Sequence, residues 1–144
     1  MNWTLIIVAI ILVFVVRFLI RFIRAYDREK SMITAHGGMS SIYKVLIDGI
    51  LEYHSAQIVE SKIDYIVIQG TFTDPITNRV CGEWAVSIQK AFALLNVRYN
   101  AYVDLGGGEK SHKSWEFRSD ESQEKILRIV KDKADEWNSY GIFK

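Results

Sequence analysis

Residues 95–104, LNVRYNAYVD, decide the fold of this chain, because apolar and polar side chains alternate along nearly the whole stretch. Successive side chains of a β-strand point to opposite faces of the sheet, so a period of two predicts a strand with one buried face. Leu95, Val97, Tyr99, Ala101 and Val103 would face a core, and the residues between them would face water. The sequence therefore predicts a half-buried sheet.

Further strands are predicted on both sides of this stretch. Residues 57–61, 64–73 and 79–92 precede it, and a last strand is predicted around 114–118, where Trp and Phe share one side. Residues 74–78, DPITN, form a turn with the chain's single proline. Because the connections are short, we expect an antiparallel meander of four or five strands.

Two amphipathic helices flank the predicted strands. Residues 42–54 carry apolar side chains at helical spacing, and residues 119–122, SDES, are a capping segment for a C-terminal helix. The expected buried stripes are Ile42, Val45, Leu46, Gly49, Ile50 and Tyr53 in the first helix, and Ile126, Leu127, Val130, Ala134 and Trp137 in the second. Helices with such stripes can cover one face of the sheet, which predicts a two-layer α+β domain of the order α-β4/5-α.

The N-terminal residues 3–23, WTLIIVAIILVFVVRFLIRFI, are interrupted by only two charges. A helix of this length extends about 31 Å, which matches the hydrocarbon thickness of a bilayer. Arg17, Arg21, Arg24 and Arg28 fall on one helical stripe and suit one membrane interface, and Trp3 suits the other. We expect a transmembrane anchor over 1–30, a linker over 31–41 and a folded domain over 42–144. Gly37-Gly38 within the linker is expected to break the anchor helix.

The charges around the anchor predict its orientation. Basic residues follow the apolar run, which argues against a cleavable signal peptide and places the C-terminal side in the cytoplasm, or in the matrix of an organelle. The N-terminus is then outside. In a bacterium the membrane would be the inner membrane. The single cysteine, Cys81, suits a reducing compartment.

Charge also argues against one class of partner. The chain has a net charge of +1, yet the first 30 residues hold five basic and two acidic side chains, whereas the rest holds 13 and 15. A slightly acidic domain lacks the basic face that nucleic acids require, so we expect no nucleic-acid binding.

The sequence shows no pattern that indicates catalysis, a metal or a cofactor. Residues 106–111, GGGEKS, lack the spacing of a phosphate-binding P-loop. His36, His54, His112 and Cys81 are scattered without metal-ligand spacing, and no local pattern makes Cys81 a nucleophile. The carboxylates of Asp48 and Glu52 share one helical face, which is typical of a solvated surface.

Two surfaces remain as candidates for binding. The first is the polar face of the sheet, with Tyr65, Gln69, Gln89, Arg98, Asn100, Tyr102 and Arg118, and the second is the loop with Gly106, Gly107, Gly108 and His112. Such side chains on a rigid sheet suit a protein partner. We therefore expect a non-enzymatic, membrane-anchored protein that binds a partner as a subunit or assembly factor of a membrane complex, or that self-associates. The alternative is a domain that binds a small molecule or lipid, including an enzyme, on a cone-like sheet that closes around a cavity.

Overall fold

The computed structural model describes residues 3–104 and 108–136. Its helices and strands are α1 (Trp3–Ala35), α2 (Met39–Ile42), α3 (Lys44–Leu51), β1 (Gln57–Ser61), β2 (Tyr65–Thr73), β3 (Val80–Ala91), β4 (Leu94–Val103), β5 (Glu109–Arg118) and α4 (Gln123–Asp135). A long apolar helix followed by a meander of strands and a last helix belongs to the α+β class, which confirms the predicted fold class.

The five strands form one antiparallel sheet in the order β1-β2-β3-β4-β5. Buried and less buried residues alternate along β2 and β4, as their sequences predict. The strand β5 begins at Glu109, five residues before the predicted 114–118, because it pairs with the full length of β4. The edge strands β1 and β5 do not pair with each other, so the sheet is open and is not a closed barrel.

Two helices, α3 and α4, cover one face of this sheet and share its core. They pack closely at Gly49, where an added Cβ would lie 2.3 Å from Cδ2 of Leu127. The side chain of Gln123 joins them further: its Oε1 accepts from the Leu46 N–H at 3.2 Å, and its Nε2 donates to the Ile42 carbonyl at 2.7 Å. The first of these bonds satisfies an N–H of the first turn of α3, which has no partner within the helix.

The predicted helix over 42–54 is shorter in the structure, where α3 runs from Lys44 to Leu51. Ile42 belongs to α2 instead, because the backbone turns at Tyr43 with φ −109° and ψ 36°. The turn shifts the buried stripe. Val45, which we expected in the core, is 45 % exposed, whereas Tyr43 and Ile47 are buried. The predicted stripe is therefore wrong at Val45 and correct at Leu46.

The C-terminal helix α4 agrees with the sequence pattern. Ser122 is its N-cap, and its hydroxyl oxygen accepts from the Lys125 N–H at 3.3 Å. Ile126, Val130 and Ala134 are buried in the core, as predicted. Trp137, also predicted for this stripe, lies outside the described residues.

The N-terminal helix is longer than the apolar run, and the expected linker over 31–41 is largely helical. The helix α1 continues to Ala35 and ends before Gly37 and Gly38, whose φ values of 86° and 84° no helix can continue. Ile33 and Met39 are each only 2 % exposed, so both belong to the core of the domain. Because these two side chains are buried, the segment 31–41 is part of the folded domain, although most residues around them are polar or small.

Within the described residues, α1 is the one helix that is long and apolar enough to cross a membrane. In the part of the chain that the structure describes, nearly all of its apolar side chains up to Ile23 are exposed. The arginine stripe at 17, 21, 24 and 28 is exposed as well.

Candidate functional site

The sheet face opposite α3 and α4 is covered by no helix among the described residues, and we call it the open face. Its residues alternate with the buried ones along the three inner strands β2, β3 and β4. The register places side chains of neighbouring strands in rows: Gln69, Ala85, Asn100 and His112 form one row, and Ser87, Arg98 and Ser114 lie in the next. The structure thereby brings together the residues that the sequence predicts for this face, namely Tyr65, Gln69, Gln89, Arg98, Asn100, Tyr102, Arg118 and, from the loop prediction, His112.

A chain of polar groups runs through His112 on the open face. Its Nδ1 lies 2.5 Å from Oδ1 of Asn100, and its Nε2 lies 3.3 Å from the hydroxyl oxygen of Ser114. An amide oxygen only accepts, so Nδ1 carries the proton and Nε2 is free to accept one from the hydroxyl. Hydroxyl, imidazole and orienting amide follow one another as in nucleophilic catalysis, although all three residues are exposed to water.

A shallow depression of about 320 Å³ lies beside this chain. It is lined on the open face by Gln69, Glu83, Asn100, Tyr102, Lys110 and His112. This volume is at the lower end of the range of small-molecule sites. Gly108 lies next to it, with a positive φ of 67° and the Tyr102 hydroxyl 3.3 Å from where its Cβ would be. Gly106 and Gly107 lie outside the described residues.

The other residues predicted for the open face differ in whether their side chains already have partners within the chain. Arg118 makes two hydrogen bonds with the carboxylate of Asp120, at 3.0 and 2.8 Å, so its guanidinium has a partner within the chain. Gln89 and Arg98 are exposed. Tyr102 is 39 % exposed, and the ammonium of Lys110 lies 6.0 Å from its ring centroid. Tyrosine and arginine side chains presented in this way are common in protein interfaces.

A second cluster, which we call the α1 clamp, joins the N-terminal helix to the turn between β3 and β4. The carboxylate of Glu29 accepts from the ammonium of Lys90 and, at 2.8 Å, from the Phe92 N–H. Only 9 % of the Glu29 side chain and 15 % of the Lys90 side chain is exposed. The Phe92 ring packs against Phe22 at 5.7 Å and Tyr26 at 6.5 Å between ring centroids. A buried ion pair and an aromatic cluster thus hold α1 against the domain.

The clamp also stabilises an unusual backbone conformation. Phe92 has a φ of 52°, in the left-handed region that a bulky side chain rarely adopts, at a cost of about 1–3 kcal/mol. Two hydrogen bonds hold this turn in place. The Phe92 N–H donates to the Glu29 carboxylate, and the Lys90 ammonium donates to the Phe92 carbonyl, each at 2.8 Å. Nearby, burial and secondarily the charge of Glu29 raise the pKa of Tyr43 to about 12.

The α1 clamp is not among the features that the sequence predicts. Phe22, Tyr26, Glu29 and Ile33 are spaced by four, three and four residues, which places them on one stripe of α1. This stripe could have been noticed, because it continues past the apolar run. A glutamate within a helical stripe is, however, expected to face water. Glu29 is buried only because Lys90, which is distant in the sequence, supplies a counter-charge.

Cys81, Asp48 and Glu52 each have a partner within the chain. The Cys81 thiol donates to the Phe72 carbonyl at 3.6 Å, and burial raises its pKa, which lowers its reactivity. Asp48 pairs with Lys44, and Glu52 pairs with Lys131. In the described part of the chain, no group of three or more His, Cys, Asp or Glu side chains is placed to hold a metal ion.

Comparison with known proteins found no match, whether with protein-family models, with curated sequences or with solved structures. The geometry of the open face and of the α1 clamp therefore carries the functional argument.

Proposed function

We propose that this chain is a single-pass membrane protein whose α+β domain lies on the cytoplasmic side and binds a protein partner through the open face. In this proposal it is a subunit or assembly factor of a membrane complex. One observation carries the proposal: the α1 clamp fixes a folded domain, with one uncovered polar sheet face, directly to a helix that is long enough to span a bilayer.

The clamp supports this function because it removes freedom between anchor and domain. A flexible linker would let the domain turn, whereas a continuous helix with a buried ion pair holds the open face at a fixed angle to the bilayer. A binding surface that is already oriented loses less entropy when its partner in the same membrane docks.

The test of partner binding uses an open-face variant and a matched control. Arg98 is exposed on the open face, and Arg128 is exposed on α4. We expect a partner that co-purifies with the wild-type chain from native membranes in mild detergent to be lost with Arg98→Glu and kept with Arg128→Glu. Equal recovery with both variants would exclude the open face as the binding surface.

The orientation is tested at Ile76, which is 92 % exposed in the turn between β2 and β3. Cysteine at this position, in a Cys81→Ala background, reports the side of the membrane on which the domain lies. A membrane-impermeant maleimide should label it only after the cells are permeabilised. Labelling of intact cells would place the domain outside and reject the proposed orientation.

A second candidate function is the binding of a small molecule in the depression beside His112, supported by the Ser114–His112–Asn100 chain. Native mass spectrometry of the purified protein tests it. A bound molecule that is retained by the wild-type chain and lost with His112→Ala would favour this function, whereas recovery of the protein without a ligand would favour the protein partner.

A further inference from the structure

The end of the sheet that meets α1 carries exposed apolar side chains. Phe92 is 42 % exposed, Leu94 37 % and Ile63 45 %. Ile63 lies in the β1–β2 connection, Phe92 lies in the β3–β4 connection, and Leu94 is the first residue of β4. The two connections are neighbours, because the Lys90 N–H at the end of β3 donates to the Asp64 carbonyl at 2.9 Å. We call this end of the sheet the apron.

The position of the apron along α1 follows from two contacts. The Phe92 ring lies 5.7 Å from the ring of Phe22, and the Tyr26 hydroxyl donates to Asp64, next to Ile63, at 3.1 Å. Phe22 is the next-to-last residue of the apolar run, and Tyr26 lies one helical turn beyond it. The apron is therefore level with the end of the segment proposed to span the membrane.

The length of α1 sets the depth of the Phe92 turn relative to the bilayer. The rise from Trp3 to Phe22 is about 28 Å, close to the roughly 30 Å of bilayer hydrocarbon, and Tyr26 lies about 6 Å further along. The headgroup layer extends about 5–8 Å beyond the hydrocarbon on each side. If Arg17 instead marks the boundary, Phe22 lies only about 8 Å past it. With the first boundary the Phe92 turn lies within the headgroup layer, and with the second it lies at or just beyond the outer edge of that layer.

We infer that the apron is a second membrane contact, seated among the lipid headgroups beside α1. Its occupant is the lipid surface itself, because the contact between Phe92 and Phe22 makes the apron continuous with the apolar run. The arginine stripe lies on the other side of α1, about 140° around the helix, and reaches the same level along its axis. Aromatic and aliphatic side chains beside basic ones are typical of an interfacial contact, and anionic headgroups would strengthen it. The apron would thereby fix the tilt of the domain, together with the clamp. This inference rests on the proposed membrane span.

The test measures depth at both ends of the sheet in the full-length protein. Nitroxide labels are attached at Ile63→Cys or Leu94→Cys in the apron, and at Ile76→Cys as a control, each in the Cys81→Ala background. Nine residues of β2 separate the two ends, which is about 30 Å. The protein is reconstituted into vesicles of phosphatidylcholine and phosphatidylglycerol, and collision rates with oxygen and with a water-soluble nickel complex are measured by electron paramagnetic resonance.

We expect the oxygen-to-nickel ratio at 63 and at 94 to exceed that at 76 several-fold. Ratios at 63 and 94 that equal the ratio at 76, in protein that floats with the vesicles, would overturn the inference and leave the membrane span intact. Protein that fails to float with the vesicles would overturn the span and the inference together. Circular dichroism of each variant verifies that the sheet is folded.

Discussion

The α1 clamp gives the sharpest prediction, because it depends on one buried carboxylate. Substituting Glu29→Ala leaves the Lys90 ammonium without its counter-charge and the Phe92 N–H without its acceptor. Removing one partner of a buried ion pair costs about 3–5 kcal/mol. Lys90 keeps the Phe92 carbonyl at 2.8 Å and is 15 % exposed, so we expect a loss of about 3 kcal/mol in the free energy of unfolding.

The loss can be measured on the full-length protein in detergent. For a chain of this size, about 3 kcal/mol lowers the melting temperature by about 6–12 °C, which fluorescence of the buried Trp84 reports. Hydrogen exchange should accelerate at the Phe92 turn. The Glu29→Gln variant keeps an oxygen acceptor for the Phe92 N–H, so we expect it to fall between the wild type and the alanine variant.

Two controls make the argument refutable. The Lys44–Asp48 pair is exposed, with 72 % and 55 % of its side chains accessible, so Asp48→Ala should change stability by no more than about 1 kcal/mol. Replacing both clamp partners, Glu29→Met with Lys90→Met, should recover part of the loss, because well-packed apolar groups can replace a buried ion pair, whereas the Phe92 N–H and carbonyl still lose their side-chain partners. The reasoning is refuted if Glu29→Ala costs no more than Asp48→Ala.

Three further predictions concern the helices and their packing. Gly49→Ala should lower stability by about 1–3 kcal/mol, because its Cβ would lie 2.3 Å from Cδ2 of Leu127, and adding Leu127→Ala should restore most of this in urea unfolding. In the folded chain the pKa of Tyr43 is raised to about 12, against an ordinary 10. Tyr43 therefore contributes about 2–3 kcal/mol to the free energy of unfolding below pH 10, and this contribution is lost as the pH rises to 12. Tyr43→Phe should therefore lose less stability between pH 9 and 11, as unfolding midpoints would show. Ser122→Ala should cost about 1 kcal/mol, because the Lys125 N–H loses its cap, and should reduce helical circular dichroism only slightly.

Each of these has a result that would contradict it. A Gly49→Ala chain more stable than the wild type would mean that helix propensity outweighs the contact between α3 and α4. Identical pH profiles for Tyr43→Phe and the wild type would show that Tyr43 titrates normally in the folded chain. An unchanged midpoint for Ser122→Ala would mean that water replaces the serine hydroxyl at no cost.

The sequence by itself determined the elements whose burial follows a local period. Along β4, Leu95 to Val103 alternate with polar residues, and this pattern alone predicts both the strand and its buried face. The stripe of α4 and its serine cap are equally local, since helical neighbours lie only three or four residues apart. The open face followed from the same alternation, because whatever does not face the core faces away from it.

Only the tertiary structure decided how the anchor meets the domain. Glu29 and Lys90 are 61 residues apart, and no local pattern distinguishes either from a solvated charge. The first half of β5 was missed for a related reason: its backbone pairs with β4 at the edge of the sheet, so its side chains need no apolar period. Local periodicity reports burial, whereas the partner that stabilises a buried charge or an edge strand is supplied by a distant part of the chain.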